Sequence, residues 1–313
     1  MNKVLAIYFS DPGVLDYPLN HHFYVESYAE LIEYWTKHGL KVVIVRGDSY
    51  QGEGVFAFHS VWNGETYVAV DEPIKADLIW NRDSENTIPR IEDCPILNHP
   101  DFDELCRDKF KSYEKLRAIS GRSFLVHSYK ECAAHFSEFA GEKIVLKPRF
   151  GEGAYGVYIL EADEITEGLY ENWENILMQE FLDSSEGIEG LVEGHHEVNI
   201  NIINGKFAGA RIKKPAEGSL VSSANSAQKG KVWGIKKEDI PTQLWEEVQK
   251  IANIFADYDL CLFRADFVRT NKGDYRLIEI NSRPGVMHPD KEGPEFYWDL
   301  NGTVAEVILE WFA

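Results

Sequence analysis

Three oxygen-bearing side chains near the C-terminal end stand on two predicted strands of the segment FRADFVRTNKGDYRLIEINSRPG, residues 263–285. Asp266 lies on the first strand, whereas Glu279 and Asn281 lie two residues apart on the second. Side chains at this spacing share one strand face, and the hairpin brings Asp266 beside them. Two carboxylates this close repel each other without a cation, and Mg²⁺ prefers such oxygen ligands. The pattern predicts a magnesium site completed by nucleotide phosphates; the alternative is an amphipathic hairpin whose polar side chains face water.

A lysine followed by three glycines forms a second candidate, in VLKPRFGEGAYGVYIL, residues 145–160. A predicted strand delivers Lys147, and the loop after it contains Gly151, Gly153 and Gly156. Glycines let backbone amides approach phosphate oxygens, and the lysine adds a positive charge. The spacing is not that of a P-loop, and the next element reads as a strand, which excludes a dinucleotide-binding fingerprint. The segment therefore predicts a phosphate-binding loop; the alternative is a glycine-rich hairpin with an exposed lysine.

The elements that position these groups begin with an α/β pattern. Three apolar runs of strand length occur at 3–9, 40–47 and 76–82. A helical pattern covers 21–38, and Asn63-Gly64 indicates a hairpin. Strand, helix and strand in this order are typical of a parallel sheet. Residues 1–105 are therefore predicted to form an α/β domain.

The rest of the chain mixes helices with short strands, and antiparallel hairpins dominate. Helical patterns cover 101–119, 131–140 and 239–257, and a further helix ends the chain. Asn204-Gly205 between two apolar runs predicts a hairpin. The polar stretches 183–196 and 215–231 are predicted loops. This order indicates an α+β arrangement after the first domain.

In chain order, KP with its glycine loop, then QEF, then RADF and EINSRPG resemble the ATP-grasp superfamily. The resemblance covers roughly residues 105–290 and is strongest toward the glutathione synthetase and ribosomal-protein glutamate ligase branch. It implies an ATP-grasp fold, in which an N-terminal α/β substrate-side domain, 1–105, precedes two α+β subdomains that enclose ATP. The lid subdomain would be 106–182, and the subdomain with the metal site would be 183–313.

The resemblance also implies which residues bind ATP and its metal. Positions that contact the phosphates are matched by Lys109, Lys147, Gly151, Gly153 and Gly156. The hinge whose backbone reads adenine is matched by Gln179, Glu180, Phe181 and Leu182. Asp183 or Glu186 would face the ribose. The metal, Mg²⁺ or alternatively Mn²⁺, would be held by Asp266, Glu279 and Asn281.

Catalytic and substrate-binding residues are predicted in the same way. Arg211 and Arg264 match phosphate-directed arginines, and Asn225 matches a position near the reacting phosphate. Arg82 ends a strand at the edge where α/β clefts form, so it is predicted to hold a substrate carboxylate, with a surface role as the alternative. Arg283, just past the metal ligands, is the second predicted substrate contact.

The implied activity is ATP-dependent carboxylate–amine ligation through an acylphosphate. The substrates would be a small carboxylic acid and an amine, such as an amino acid or a short peptide. Two alternatives remain: a kinase of the same fold that phosphorylates a hydroxyl, and a nucleotide-binding module without catalysis. A kinase acting on strongly anionic substrates needs a basic first domain, and residues 1–105 contain few bases. The retained metal ligands argue against the module.

The amino-acid composition restricts the classes of molecule that the protein is expected to bind. The formal charge is −20, from 52 acidic and 32 basic residues, which disfavours nucleic acid and anionic membranes as partners. The four cysteines show no metal-binding or CxxC spacing, so free thiols in a reducing cytoplasm are expected. The start of the chain reads as a strand rather than a signal peptide. A homodimer is the default assembly for a soluble enzyme.

Two pairs of adjacent histidines, His21-His22 and His195-His196, are the remaining metal-like feature. Adjacent side chains point apart on a helix or a strand, so joint ligation of zinc is disfavoured. Surface or capping roles are therefore predicted for all four.

Overall fold

The computed structural model describes the chain apart from its first two residues and several short internal stretches. The described residues are 3–83, 88, 91, 94–151, 153–220, 230–286 and 294–313. Within these ranges, no helix combines the length and the apolar character needed to cross a lipid bilayer.

The N-terminal third contains a six-stranded sheet and a smaller three-stranded sheet. Their strands are β1 (Val4–Phe9), β2 (Lys41–Arg46), β3 (Tyr50–Gly52), β4 (Val55–Phe56), β5 (His59–Trp62), β6 (Tyr67–Val70), β7 (Ile74–Lys75), β8 (Leu78–Asn81) and β9 (Ile96–Leu97). The large sheet has the order β6-β5-β2-β1-β8-β9, and β2, β1, β8 and β9 run parallel. The predicted α/β pattern is present, and the ends of β1 and β8 lie at one edge of the sheet.

Helix α1 (His22–Lys37) follows β1 and packs in the core beside the large sheet. Its buried apolar side chains recur at helical spacing at Tyr28, Ala29, Leu31, Ile32 and Trp35. Burying a large apolar side chain contributes about 1.5–3 kcal/mol, so this face fixes the helix in place. The helix ends before Gly39, whose φ of +89° suits glycine. The indole nitrogen of Trp35 donates a hydrogen bond of 3.1 Å to the carbonyl of Ala305 in the C-terminal helix.

The predicted hairpin at Asn63 connects β5 and β6 through four residues rather than two. The Asn63 side chain accepts hydrogen bonds from the amides of Glu65 and Thr66, each 2.9 Å long. These contacts close a wider turn than the dipeptide alone requires.

The second sheet has four antiparallel strands in the order β10-β13-β11-β12. The strands are β10 (Ser123–Val126), β11 (Ile144–Pro148), β12 (Tyr158–Leu160) and β13 (Ile176–Glu180). Lys147 lies near the end of β11, and the glycine loop connects β11 to β12. The strand–loop–strand arrangement predicted for 145–160 is therefore confirmed.

The single helix predicted at 101–119 is wrong, because this stretch contains α2 (Pro100–Arg107) and α3 (Lys109–Lys115). Asp108 separates the two helices. Its backbone is extended, and its carboxylate accepts two amides of the first turn of α3, each at 3.1 Å. A capping carboxylate starts a new helix and interrupts the old one.

Helix α4 (Tyr129–Ala134) also differs from its predicted range of 131–140. The Ser128 hydroxyl accepts a hydrogen bond from the amide of Glu131, so the helix starts earlier than expected. A separate 3₁₀ turn, Phe136–Phe139, follows it.

The third sheet has five antiparallel strands in the order β16-β15-β14-β17-β18. The strands are β14 (Glu197–Ile203), β15 (Lys206–Lys214), β16 (Lys231–Ile235), β17 (Leu262–Arg269) and β18 (Tyr275–Asn281). Asn204 and Gly205 have φ of +48° and +73°, which confirms the predicted two-residue turn. Strand β16 was not predicted. Two further helices in the described residues are α5 (Thr242–Ile254) and α6 (Pro294–Phe312).

Asn98 joins the first sheet to the third. Its side-chain nitrogen donates to the carbonyls of Leu262, at 2.7 Å, and Ser282, and its oxygen accepts the amide of Leu262 at 2.6 Å. All three residues are buried. Asn98 directly follows β9 and Leu262 begins β17, so these hydrogen bonds fix one sheet against the other.

Candidate active site

A cleft of about 620 Å³ lies between the second and third sheets. One wall carries residues of β11 and β13, and the other carries residues of β14, β15, β17 and β18. Among the described residues, seven Lys and Arg residues line the cleft against four Asp and Glu residues. The cleft is therefore locally cationic in a chain of formal charge −20, which favours a polyanionic ligand.

The hairpin of β17 and β18 brings the three predicted metal ligands together. Asp266 lies opposite Glu279, and the Asn281 side-chain nitrogen donates to Asp266 Oδ2 at 3.1 Å. Arg264 donates to the same carboxylate twice, at 2.8 and 3.1 Å. Asp266 is 4% exposed, so Arg264 rather than water compensates its charge. The oxygen donors that Mg²⁺ prefers thus lie on one wall of the cleft.

Lys109 connects the glycine loop to the metal-ligand strand. Its Nζ lies 3.3 Å from Glu279 Oε1 and donates to the carbonyl of Gly151. Gly151, Gly153 and Gly156 have φ of +123°, +71° and +68°, a region that other residues rarely adopt. Gly151 and Gly153 line the cleft. Lys109 therefore holds this loop beside the carboxylates.

Lys147 is a buried cation on the cleft wall. It is 7% exposed, and it has no hydrogen-bond or ion-pair partner in the described part of the chain. Burial lowers the pKa of its amine, the carboxylate of Glu279 opposes this shift, and the charge of Lys109 adds to it. An unpaired buried ammonium group is costly unless an anion joins it. The position of Lys147 therefore favours an anionic ligand.

Asn199 connects the predicted phosphate-directed arginines to the metal-ligand hairpin. On β14 it lies opposite Arg211 on one side and Asp266 on the other. Arg211 Nε donates to Asn199 Oδ1 at 3.2 Å. Both Arg211 and Arg264 line the cleft, and their contact to phosphate stays a prediction. Asn225 lies outside the described residues.

The sequence analysis missed Glu197 and Lys213, which also line this wall. They lie opposite each other on β14 and β15, with Glu197 Oε2 and Lys213 Nζ 3.7 Å apart. Burial raises the pKa of Glu197 to about 7; Lys213 opposes the rise, and Asp266 adds to it. The available signal was the spacing of Lys213 two residues after Arg211, which places both on one strand face.

All four residues of the predicted hinge, 179–182, line the cleft. Gln179 is buried, and Glu180 and Phe181 donate their amides to neighbouring backbone carbonyls. Within the described ranges, the amide of Leu182 has no hydrogen-bond partner. A free amide beside apolar lining suits the edge of a purine ring.

Neither residue predicted to face the ribose is among those lining the cleft. Asp183 and Glu186 are both exposed. Asp183 Oδ1 accepts the amide of Ser185 at 2.9 Å. Ser184 and His195 line the cleft here instead. The assignment of Asp183 or Glu186 to the ribose stays a prediction.

The surface role predicted for the second histidine pair is wrong for His196, which is 2% exposed. Its Nε2 accepts the amide of Arg269 at 3.2 Å, so its Nδ1 is the protonated nitrogen and donates to a backbone carbonyl. Burial lowers its pKa, which favours the neutral ring. His195 lines the cleft, whereas His21 and His22 are exposed as predicted.

Arg283 lines the cleft beyond Asn281. Its Nη1 is buried and has no hydrogen-bond partner among the residues that the structure describes, and its Nε lies 3.9 Å from Asp103 Oδ1. Burial raises the pKa of Asp103 to about 6, and the charge of Arg283 opposes this rise. A buried guanidinium donor without an acceptor indicates a place for an anion such as a carboxylate.

Arg82, the other predicted substrate contact, is not among the residues that line the cleft. Its Nε donates to the hydroxyl of Tyr28 and its Nη2 to the carbonyl of Pro284, each at 3.0 Å. Its guanidinium lies over the ring of Trp80, 5.2 Å from the centroid. Arg82 therefore anchors the segment that follows Arg283.

Known families and structures share this architecture. The family model of the ATP-grasp domain matches residues 106–286. A comparison with curated protein sequences finds no match. D-alanyl-alanine synthetase A from Vibrio cholerae has a TM-score of 0.64 at 15% identity, covering 100% of both chains. Macrocyclase MdnC from Microcystis aeruginosa, bound with precursor peptide MdnA, has a TM-score of 0.62 at 14% identity, covering 98% of this chain and 99% of its own. The ATP-grasp ligase PsnB, complexed with minimal precursor, Mg and ADP, has a TM-score of 0.60 at 12% identity, covering 97% of both chains.

The chain belongs to the ATP-grasp family, because the family match spans more than half of its length. The predicted fold is confirmed: an N-terminal α/β part precedes two α+β units with a cleft between their sheets. The resemblance inferred from the motifs is confirmed as well.

Proposed function

We propose that this protein is an ATP-dependent carboxylate–amine ligase that forms an amide bond through an acylphosphate. One observation carries the proposal: next to the metal-ligand strand, Arg283 has a buried guanidinium nitrogen that meets no hydrogen-bond partner in the described ranges. A carboxylate bound there lies beside the groups that would hold the γ-phosphate. A kinase acting on a hydroxyl has no need for such a carboxylate site.

ATP binding is assigned to both walls of the cleft. Lys109, Lys147 and the amides of the glycine loop would hold the phosphates. The segment 179–182 would contact adenine through the free amide of Leu182. The unpaired charge of Lys147 supports this orientation, because it lies on the wall that faces the carboxylates.

The donor set of Asp266, Glu279 and Asn281 fits Mg²⁺, because all three offer hard oxygen atoms on neighbouring strands. When bound, the metal would offset the charge of the γ-phosphate. The side chains of Arg211 and Arg264 would bind the same phosphoryl oxygens and stabilise the charge that grows during transfer.

The reaction then balances in two steps. A carboxylate oxygen attacks the γ-phosphorus, the bond to the β-phosphate oxygen breaks, and ADP leaves. A neutral amine next attacks the carbonyl carbon of the acylphosphate. The carbon–oxygen bond to phosphate breaks, and the phosphate leaves with one proton of the amine. Arg283 would hold the carboxylate in line for the first step.

An acylphosphate reacts readily with water, so the cleft must exclude it. Phe150, directly before Gly151, and Tyr155, directly before Gly156, line the cleft and are 51% and 79% exposed. Exposed aromatic side chains beside a ligand cleft gain burial when the loop covers a ligand. The loop is therefore assigned as the lid of the reaction.

The proposed substrates are a small carboxylic acid and an amine, an amino acid or a short peptide. Two similar structures support this class through their names, a D-alanyl-alanine synthetase and a macrocyclase bound with a precursor peptide. The shortage of basic residues in 1–105 disfavours the polyphosphate substrates of a kinase.

The proposal predicts that MgATP stabilises the fold. At a hundredfold excess over the dissociation constant, a ligand adds about 2.7 kcal/mol to the free energy of unfolding. Thermal unfolding with MgATP, with MgGTP and without nucleotide measures the effect. We expect a clear rise in Tm with MgATP and a smaller rise with MgGTP. An unchanged Tm with both nucleotides contradicts nucleotide binding.

The proposal also predicts that oxygen moves from the acid to the phosphate. With a carboxylic acid labelled by oxygen-18, one label should appear in the released inorganic phosphate, because a carboxylate oxygen attacks the γ-phosphorus. Hydroxylamine should trap the activated acid as a hydroxamate. Mass spectrometry of phosphate and product provides the measurement. Unlabelled phosphate, or phosphate still esterified to the substrate, rejects ligation and favours the kinase.

A further inference from the structure

Two consecutive residues at the end of β8 reach the segment that contains Arg283. The side-chain nitrogen of Asn81 donates to Asp103 Oδ2 at 2.8 Å, and Asp103 Oδ1 lies 3.9 Å from Arg283 Nε. Arg82 donates to the carbonyl of Pro284 at 3.0 Å. Asn81 thus acts on the Arg283 side chain through Asp103, and Arg82 fixes the backbone of the next residue.

Asp103 has no surface role, because it is 0% exposed. A carboxylate buried to this extent is costly unless it meets charged or hydrogen-bonding partners. Asn81 satisfies one of its oxygens, whereas the other, Oδ1, has no hydrogen-bond partner among the described residues. The cation in front of that oxygen is Arg283. Arg283 and Asp103 therefore face each other at ion-pair distance without forming a hydrogen bond.

The guanidinium of Arg283 is unsatisfied on a second side. Its Nε faces Asp103, while its buried Nη1 has no hydrogen-bond partner within the described part of the chain. Carboxylates bind guanidinium groups in a plane through two nitrogens, so the direction of the plane decides where a carboxylate can bind. A negative charge at the Nε edge fixes that direction and leaves the remaining nitrogens for the ligand.

We propose that Asp103, held by Asn81, is a positioning residue that orients Arg283 toward the substrate carboxylate. The proposal rests on the proposed ligase function and assigns the first sheet a part in substrate affinity. Asp103 does not line the cleft, so its effect is expected to reach the substrate through Arg283, which does. The affinity for the acid depends on Asp103, and the affinity for MgATP does not.

The test compares Asp103→Asn with the control variant Glu104→Gln. The control removes the same charge from the same helix, but the Glu104 side chain is 55% exposed and pairs with Lys111. In Asp103→Asn, KM for the carboxylic acid should rise about tenfold or more, a change worth about 1.4 kcal/mol. KM for MgATP should stay within about twofold, since no interaction with nucleotide is removed. Glu104→Gln should match the wild type in both constants.

Asn81→Ala provides a second variant if Asp103→Asn folds poorly, which circular dichroism melting detects. It removes the outer hydrogen bond and keeps the carboxylate, so a smaller rise in KM for the acid is expected, about threefold. An unchanged KM for the acid, or an equal rise in both constants, contradicts the positioning role.

A second readout separates this proposal from the ligase function. Wild-type protein that releases no ADP with any acid and amine contradicts the ligase. The positioning role is then measured by acetate binding, as the acetate-dependent rise in Tm with Mg²⁺ and the non-hydrolysable analogue AMP-PNP. Wild type and Glu104→Gln should respond, and Asp103→Asn should not. An equal response in all three proteins, or a response in none, contradicts the role of Asp103.

Discussion

Replacing Glu279 with glutamine should reduce turnover about a thousandfold, which corresponds to about 4 kcal/mol in the activation free energy. The reason is that loss of a metal ligand removes several kcal/mol of charge stabilisation during phosphoryl transfer. The affinity for nucleotide should not fall together with turnover. Glu279 currently pairs with Lys109 at 3.3 Å, and its removal leaves that lysine available for phosphate. The variant therefore separates metal-assisted transfer from binding.

Single-turnover ADP formation measures the first effect, and isothermal titration with ADP measures the second. Glu246→Gln is the matched control, because Glu246 is exposed on α5 and is not among the residues lining the cleft. Wild-type turnover in Glu279→Gln removes the proposed metal role.

Replacing Lys147 with methionine should weaken nucleotide binding about ten- to a hundredfold, because a hydrogen bond from a charged group contributes about 1.5–3 kcal/mol. The same change should raise Tm in the absence of nucleotide. Methionine fills a similar volume, and the variant no longer buries an ammonium group that has no partner among the described residues. This one substitution is therefore expected to raise the stability of the nucleotide-free protein and to lower its affinity for nucleotide.

Isothermal titration with the non-hydrolysable analogue AMP-PNP, and thermal unfolding without nucleotide, provide the two measurements. Lys143→Met is the control, because Lys143 directly precedes β11 and its side chain is 39% exposed beside Glu161. Equal nucleotide affinity in Lys147→Met and wild type places the phosphates elsewhere.

The parts of the site predicted from the sequence are those built from neighbouring segments. The metal-ligand hairpin consists of two adjacent strands, so alternation along each strand was enough to place Asp266, Glu279 and Asn281 on one wall. Lys147 and its glycine loop likewise form a single strand–loop–strand unit. Local periodicity carries this information because the connections are short.

A one-residue irregularity explains why the pair of Glu197 and Lys213 was missed. The tight turn after Ile203 sets the pairing of β14 with β15, and regular pairing from it places Glu197 opposite Ile212. A bulge between Ile200 and Ile202 shifts the register by one residue, so Glu197 faces Lys213 instead. Such a shift inverts which side chains share a face. Gly209, an isolated glycine of β15 with φ of +98°, lies at the bulge and is the sequence signal for it.

Contacts between segments that are distant in sequence were the second feature that the sequence analysis could not predict. The predicted role of Arg82 followed from its place at the end of a strand, but its partners depend on how α1 and the segment at Pro284 pack. Pro284 lies 202 residues away in sequence, so only the tertiary structure shows the hydrogen bond. The split of the helix at Asp108 could have been predicted, since aspartate is a preferred capping residue.

The carboxylates of the proposed metal site each carry a cation of the protein, Arg264 on Asp266 and Lys109 on Glu279. A divalent ion would bind the two carboxylates in place of the cations. A polyphosphate would bind the two cations in place of the carboxylates. Each ligand, by separating a pair, lowers the free energy needed to bind the other. Linkage makes this cooperativity reciprocal, and a coupling free energy of about 1–3 kcal/mol is typical of such effects. The site would thus select the metal–nucleotide complex over either component alone.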